Sequence, residues 1–192
     1  MYKILVAIAA VLVLAGAVWY GGSRYLVSKL DGTGGVTAPQ QQDPMVKYTS
    51  TELGVSFNYP EQRYTIETHR SGNGEREWHT ITLVPSDFVP VEGGEGPPSI
   101  NITVIPNIEG QGLEQWIHGD ARSNFKLSQD DKLTATTLGG NAAFAYRYSG
   151  LYENDAVATV TNGNIYLFEA GWLAAGDQGR ADFARILESV EF

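Results

Sequence analysis

Three histidines, His69, His79 and His118, are the first residues to test for chemistry, because imidazole both ligates metals and moves protons near neutral pH. Zinc sites place histidines on one face, at spacings such as i and i+4, or join them to cysteines. These three fall on three separate segments and the chain contains no cysteine, so they read as surface or rim histidines and no metal is assigned. His69 alternates with Ile66 and faces the polar side of its strand. His79 is in phase with Ile81 and Leu83 at the rim of a core, and His118 projects from the exposed side of a helix carrying Trp116. A serine hydrolase needs a nucleophile beside a base and an orienting acid. No serine here stands in a Gly-x-Ser-x-Gly turn, so no catalytic residue is assigned.

Carboxylate pairs are the next source of chemistry. Glu92 and Glu95 share a glycine-rich stretch, and Asp130-Asp131 precede a strand. Glycosidases hold two acids at a fixed separation across a sugar, which loops place badly, so these read as solvated charge. Hard cations favour such oxygens, but no EF-hand spacing is present. The Gly93-Gly94-Glu95-Gly96 run lacks the Lys-Ser/Thr of a phosphate loop, and its glutamates repel phosphate. Asn101-Ile-Thr103 matches a glycosylation sequon, which matters only in a eukaryotic secretory pathway. No cofactor is implied.

Two features remain open. Asp120 lies near the apolar face of its helix, between Ile117 and Asn124. A carboxylate there needs backbone amides or Arg122 as partners, or else marks a bend beside Gly119. Tyr146, Tyr148, Tyr152 and Trp172 form either an exposed binding surface or core and rim packing.

These residues must be positioned by short elements. Val55, Phe57 and Tyr59 alternate with polar residues up to Pro60. Tyr64, Ile66 and Thr68 follow, then Ile81 and Leu83, then Ile100, Ile102 and Val104. Leu113, Trp116, Ile117 and Ala121 recur at helical spacing, predicting about three turns. Alternation returns at Phe144, Tyr146 and Tyr148, after a Gly139-Gly140-Asn141 turn. Two strands, 156–161 and 165–170, are joined by Asn162-Gly163, a strong hairpin signal. A final helix opens near Asp177, a suitable N-cap, with Phe183, Ile186, Leu187 and Val190 on one face. The expectation is an α+β fold, an antiparallel β-sheet flanked by helices.

Composition sets the surroundings. Ten of the 13 Lys+Arg and 20 of the 22 Asp+Glu lie from Lys47 onward, so this part carries about −10 and repels phosphate backbones. Nucleic acid is excluded as a partner on that ground. Its roughly 145 residues suffice for a core without staples. Before it, residues 4–23 are uncharged and dominated by Ile, Leu, Val and Ala, which as a helix span about 30 Å, the thickness of a hydrocarbon core. Tyr2 at one end and Trp19, Tyr20 and Tyr25 near the other suit the headgroup layers. The competing reading is a cleaved signal peptide, since Ala15-Gly16-Ala17 resembles a cleavage site, but the apolar run continues through Tyr20. Lys3 and the amino terminus nearly balance Arg24 and Lys29, and the short N-terminus favours an internal start and an external domain. The division is therefore 1–30 as one N-terminal transmembrane helix with flanks, 31–46 as a flexible Gly/Pro/Gln linker, and 47–192 as the soluble domain.

The order of elements resembles the PsbP-like proteins, the group named for the extrinsic lumenal subunit of photosystem II, with many unassigned prokaryotic members. The resemblance rests on Gly54-Val-Ser-Phe-Asn-Tyr-Pro60, Leu113-Glu-Gln-Trp116, Leu138-Gly-Gly-Asn-Ala-Ala143 and Phe183-Ala-Arg-Ile-Leu-Glu-Ser-Val-Glu-Phe192. It covers about residues 47–192 and none of the anchor. It implies an α/β/α sandwich without enzymatic activity, binding a protein partner or assisting a complex at the membrane. The chain departs from the photosynthetic subunit at its start, and no binding residue carries over. The alternatives are a cell-envelope hydrolase with an unrecognised cleft and an extracytoplasmic sensor of cations or small ligands. Membranes washed at alkaline pH are expected to retain the protein with its first 17 residues intact; a mature start after residue 17, or full release into the wash, contradicts the single-pass reading and leaves the secreted alternative.

Overall fold

Two residue periods, one of two and one near 3.6, alternate along the chain, and the elements follow them. The computed structural model describes residues 43–90 and 92–192. The expected membrane span over 4–23, the Ala15-Gly16-Ala17 site and the linker as far as residue 42 lie outside the described residues; among those described, no helix is long and apolar enough to cross a membrane. The folded unit runs from Asp43 to Phe192.

Nine strands and two α-helices are described: β1 (Val46–Ser50), β2 (Val55–Tyr59), β3 (Tyr64–Ser71), β4 (Trp78–Pro85), β5 (Ile100–Pro106), α1 (Leu113–Gly119), β6 (Thr134–Leu138), β7 (Asn141–Ser149), β8 (Glu153–Thr161), β9 (Asn164–Trp172) and α2 (Gln178–Glu188). β1 and β2 form a hairpin of their own. The other seven make one sheet in the order β3-β4-β5-β9-β8-β7-β6, antiparallel at every pairing. Both expected tight turns are present. Gly139 and Gly140 join β6 to β7 with φ of 53° and 80°, and Asn162 and Gly163 join β8 to β9 with φ of 50° and 74°. Positive φ at both central residues gives the hairpin a twist that matches its strands. Gly139 has a second reason to lack a side chain, because a Cβ there would stand 2.7 Å from the Phe192 ring.

β9 is buried on both faces. Its Tyr166, Phe168 and Ala170 enter one core with Ile81, Ile102 and Phe57, closed by Phe183 and Ile186 of α2. Its Ile165 and Leu167 enter a second core with Tyr146 and Ala158, closed by Trp116, Ile117 and Phe125. The two helices thus lie on opposite faces of the sheet, the α/β/α sandwich that the resemblance implies. Cover on the second face is incomplete. Over β4 and β5 that face carries Thr80, Thr82, Asn101 and Thr103, which bond one another across strands (Thr80–Thr103 3.3 Å, Thr82–Asn101 2.9 Å). An antiparallel sheet tolerates one polar face of this kind.

Four elements depart from the expected pattern. β1 and β6 carry too few apolar residues for alternation to reveal them; β6 is a sheet edge with only Leu138 buried. The expected three-turn helix is a seven-residue α1, because Asp120 turns to extended backbone (φ −93°, ψ 130°) and the chain continues as short 3₁₀ turns over Ala121–Ser123 and Phe125–Leu127. Asp177 occupies the N-cap position of α2 as expected, but its carboxylate accepts from the N–H groups of Leu173 and Ala174 rather than capping the helix. Truncating Phe168 to alanine is expected to cost about 3–5 kcal/mol in urea unfolding, while Thr136→Ala on the exposed edge strand changes stability by under about 0.5 kcal/mol.

Candidate functional site

The sheet and its helices distribute the histidines rather than gathering them. His69 is exposed on β3 beside Glu67 (3.2 Å), and His79 stands at the rim of β4, 3.6 Å from Glu77. The register places them on opposite faces, since His69 opposes Thr80 and His79 opposes Arg70. His118 is exposed on α1, its ring edge-on to Phe125 at 4.7 Å. Among the described residues no histidine hydrogen-bonds a serine, and no group of three or more His, Asp or Glu is arranged to hold a metal ion. Glu92 and Glu95 are exposed in the loop between β4 and β5. Asp130 organises its own turn through Ser128 and the Lys132 N–H (both 3.2 Å), and Asp131 beside it has φ of 49°.

Two of the four aromatic residues considered for an exposed surface are core residues instead. Tyr146 and Tyr148 are buried, and their hydroxyls donate to the Ser123 carbonyl and to Glu169 Oε1, each at 2.7 Å. A phenol can enter a core where its hydroxyl finds such a partner. Tyr152 and Trp172 remain half-exposed at one end of the sheet. There Arg180 stacks on the Trp172 ring at 4.4 Å, and Arg147 and Arg180 grip Asp155 from either side at 2.7 Å.

Asp120 satisfies both readings left open for it. It ends α1, and it accepts from the Arg122 N–H (2.9 Å) and from the Arg122 guanidinium (2.8 and 2.5 Å). That guanidinium holds the Asp120 carboxyl below its usual range, against partial burial. The Trp116 indole N–H is buried without a hydrogen bond of ordinary geometry, yet it stands close enough to this carboxylate to add to the lowering. Arg122 also lies 5.2 Å over the Trp78 ring. Together Trp78, Trp116, Asp120 and Arg122 wall a cavity of about 310 Å³.

Sequence reasoning missed two buried acids. Glu169 sits in the middle of β9, opposite Asn101 on one side and Ala156 on the other. Its carboxylate receives Tyr148 (2.7 Å) and the Asn124 amide (3.4 Å). Burial raises its pKa to about 7, the two donors working against that rise. The signal was present: a lone acid within Ile165-Tyr-Leu-Phe-Glu-Ala170, a run otherwise buried on both faces. Asp182 is wholly buried on α2, where it accepts from Tyr64 (3.1 Å), Arg63 (3.3 Å) and Gln178 (3.3 Å). It stands four residues before Ile186, inside the apolar stripe of its helix. Arg63, Tyr64, Asp182, Asp87 and Pro98 line a second cavity, about 490 Å³, at the end of the sheet that also holds Tyr152 and Trp172.

Seven antiparallel strands with helices on both faces match a solved structure. The solution structure of cyanobacterial PsbP (CyanoP) from Synechocystis sp. PCC 6803 aligns over 85% of this chain and 99% of its own, with a TM-score of 0.53 and 12% identity. The fold is PsbP-like. No family model and no curated protein matches the chain. At 12% identity the PsbP likeness fixes architecture and carries no site residue across.

Within this PsbP-like fold Glu169 has a measurable consequence. Its folded pKa is about 7 against 4.5 for the free side chain, so the protonated form is the one the fold prefers. The associated stability is full below about pH 4.5, declines as pH rises toward 7, and is level above that. The loss is on the order of 3 kcal/mol. Glu169→Gln keeps an acceptor for Tyr148 but cannot ionise. Urea unfolding at pH 4.5, 6 and 8 is expected to show the variant increasingly more stable than the parent as pH rises; parallel curves contradict the assignment.

Proposed function

We propose that this chain is a membrane-tethered, extracytoplasmic, non-enzymatic module that binds a protein partner or assists assembly of a complex, in the manner the PsbP-like resemblance implies. The supporting observation is the fold likeness, which extends over 99% of cyanobacterial PsbP. It is joined by the uncharged run 4–23 and by an acidic domain. An external domain held at a bilayer meets membrane partners at raised local concentration, so modest intrinsic affinity suffices. The charge of the domain, about −10, keeps it dissolved and away from anionic headgroups.

One observation favours a second reading, an extracytoplasmic sensor of small ligands. The cavity walled by Trp78, Trp116, Asp120 and Arg122 is at the small end of the range for ligand sites. A ligand seated there is expected to change tryptophan fluorescence and to raise the melting temperature with the logarithm of its concentration once that exceeds Kd.

Crosslinking in native membranes tests the leading reading. The full chain is expected to capture neighbours that a chain lacking residues 1–30 does not. Recovery of the same neighbours by both chains removes the tether from the explanation.

A further inference from the structure

The domain has one chemically distinct end. Here β3 begins, β4 stops, β5 begins, the turn joins β7 to β8, and β9 hands over to α2. Three loops meet there. Tyr152, in the turn between β7 and β8, donates its hydroxyl to the Gly96 carbonyl at 2.5 Å, tying that turn to the long loop between β4 and β5. A Cβ on Gly171 would stand 3.5 Å from Pro98 and 3.6 Å from Tyr152, so the same loop lies against the end of β9. The 490 Å³ cavity opens among these segments.

This end carries the three most exposed large apolar side chains of the described residues: Val89 (76% exposed), Leu173 (72%) and Leu151 (61%). Leu151 and Leu173 flank the Glu153–Trp172 pair of β8 and β9, which brings their loops side by side. Val89 follows the turn in which Phe88 N–H bonds the Pro85 carbonyl, next to the start of β3. Scattered exposed leucines need no explanation, but three on adjoining loops around a cavity mark a contact surface.

Charge at this end is unbalanced. Asp87, Glu92, Glu95, Glu153 and Asp177 stand on the same loops and strand ends. The arginines nearby already have partners: Arg63 pairs with Asp43 and Asp182, and Arg147 and Arg180 pair with Asp155. Asp43, the first described residue, also lies at this end. Asp43 is held by Arg63, and its carbonyl accepts from Arg185 at 3.1 Å.

We propose that this end is the docking surface for a protein partner, which presents a lysine or arginine between apolar side chains. The proposal rests on the binding-module reading and gives it a place and a chemistry. The apolar flanks of such a segment cover Leu151, Leu173 and Val89. Its cation enters the cavity, where Asp87 and Asp177 line the wall and Arg63 is already paired with Asp43 and Asp182. An anionic bilayer surface is the wrong occupant, because the same acids repel it. Electrostatic complementarity of this kind sets orientation and on-rate, while the apolar contacts supply most of the affinity.

A benzophenone-bearing phenylalanine placed in the full chain, in turn at Val89, Leu151, Leu173, Ile108 and Leu127, tests this in native membranes. The last two positions are exposed apolar residues away from this end. The expected result is a crosslink from positions 89, 151 and 173 to one protein, on a peptide containing Lys or Arg, and none to it from 108 or 127. Glu95→Lys combined with Glu153→Lys, with the near-UV circular dichroism unchanged, is expected to lower that yield about tenfold. Lipid adducts alone, equal crosslinking from all five positions, insensitivity to the charge reversals, or no crosslink at all overturns the proposal. Crosslinks from 108 and 127 only overturn this surface and keep the binding reading. Crosslinks from 89, 151 and 173 that survive deletion of residues 1–30 overturn the tether and keep the surface.

Discussion

Pairing of β5 with β9 joins strands that are far apart in the chain, from Ile100 opposite Ala170 to Pro106 opposite Asn164. It converts a three-stranded and a four-stranded antiparallel unit into one sheet. Both cores depend on it. Tyr166 and Phe168 on one face and Ile165 and Leu167 on the other are at most 1% exposed, and each packs under a different helix. A pairing with this sequence separation forms only when the chain has closed a long loop, so its contacts must recover a substantial entropy. Burial on both faces of one strand supplies the compensation, since each fully buried large apolar side chain contributes about 1.5–3 kcal/mol.

The same constraint explains where polarity is tolerated. A strand buried on both sides has no solvated face on which to place an acid, so Glu169 must rely on Tyr148 and Asn124. Asn124 reaches it from a left-handed backbone position (φ 55°) between two 3₁₀ turns, a conformation that asparagine adopts more readily than most residues. The early end of α1 at Asp120 therefore has a use: the extended residue there redirects the chain so that Phe125 covers the second core and Asn124 faces the sheet. Asp120 and Arg122 hold that redirection through a bidentate pair. Local electrostatics at the helix terminus and burial at the centre of the sheet act on the same segment.

Much of the architecture was legible because it is written in short-range patterns. Asn162-Gly163 and Gly139-Gly140 announce their hairpins, and Ile100, Ile102 and Val104 announce an inward row. β1 and β6 escaped because their stabilising partners lie on other strands while their own residues are half-exposed or polar. The hydroxyl groups of Tyr146 and Tyr148 left a surface reading open beside core packing, and the three-dimensional positions of Ser123 and Glu169 decide for the core. The proposed docking end was illegible for the same reason. Leu151, Leu173 and Val89 lie in three loops, and what brings those loops together is contact at long separation, such as Tyr152 with Gly96, 56 residues apart. Period and propensity see one segment at a time.

The three most exposed large apolar side chains of the described residues, Val89, Leu151 and Leu173, sit in loops at one end of the sheet, while the tightly held polar groups lie within it. Catalysis asks for reacting groups fixed to within fractions of an ångström by packed supports; here the groups held that tightly, Glu169, Asp182 and the Asp120–Arg122 pair, are saturated by internal partners. Those partners stabilise the scaffold. The exposed apolar tips and the loop acids need only rough placement to act, because burial and long-range charge are undemanding of geometry. The division of labour follows from the fold: interior polar groups keep a two-faced strand folded, and loop residues, exempt from that duty, are left to meet whatever approaches the end of the sheet.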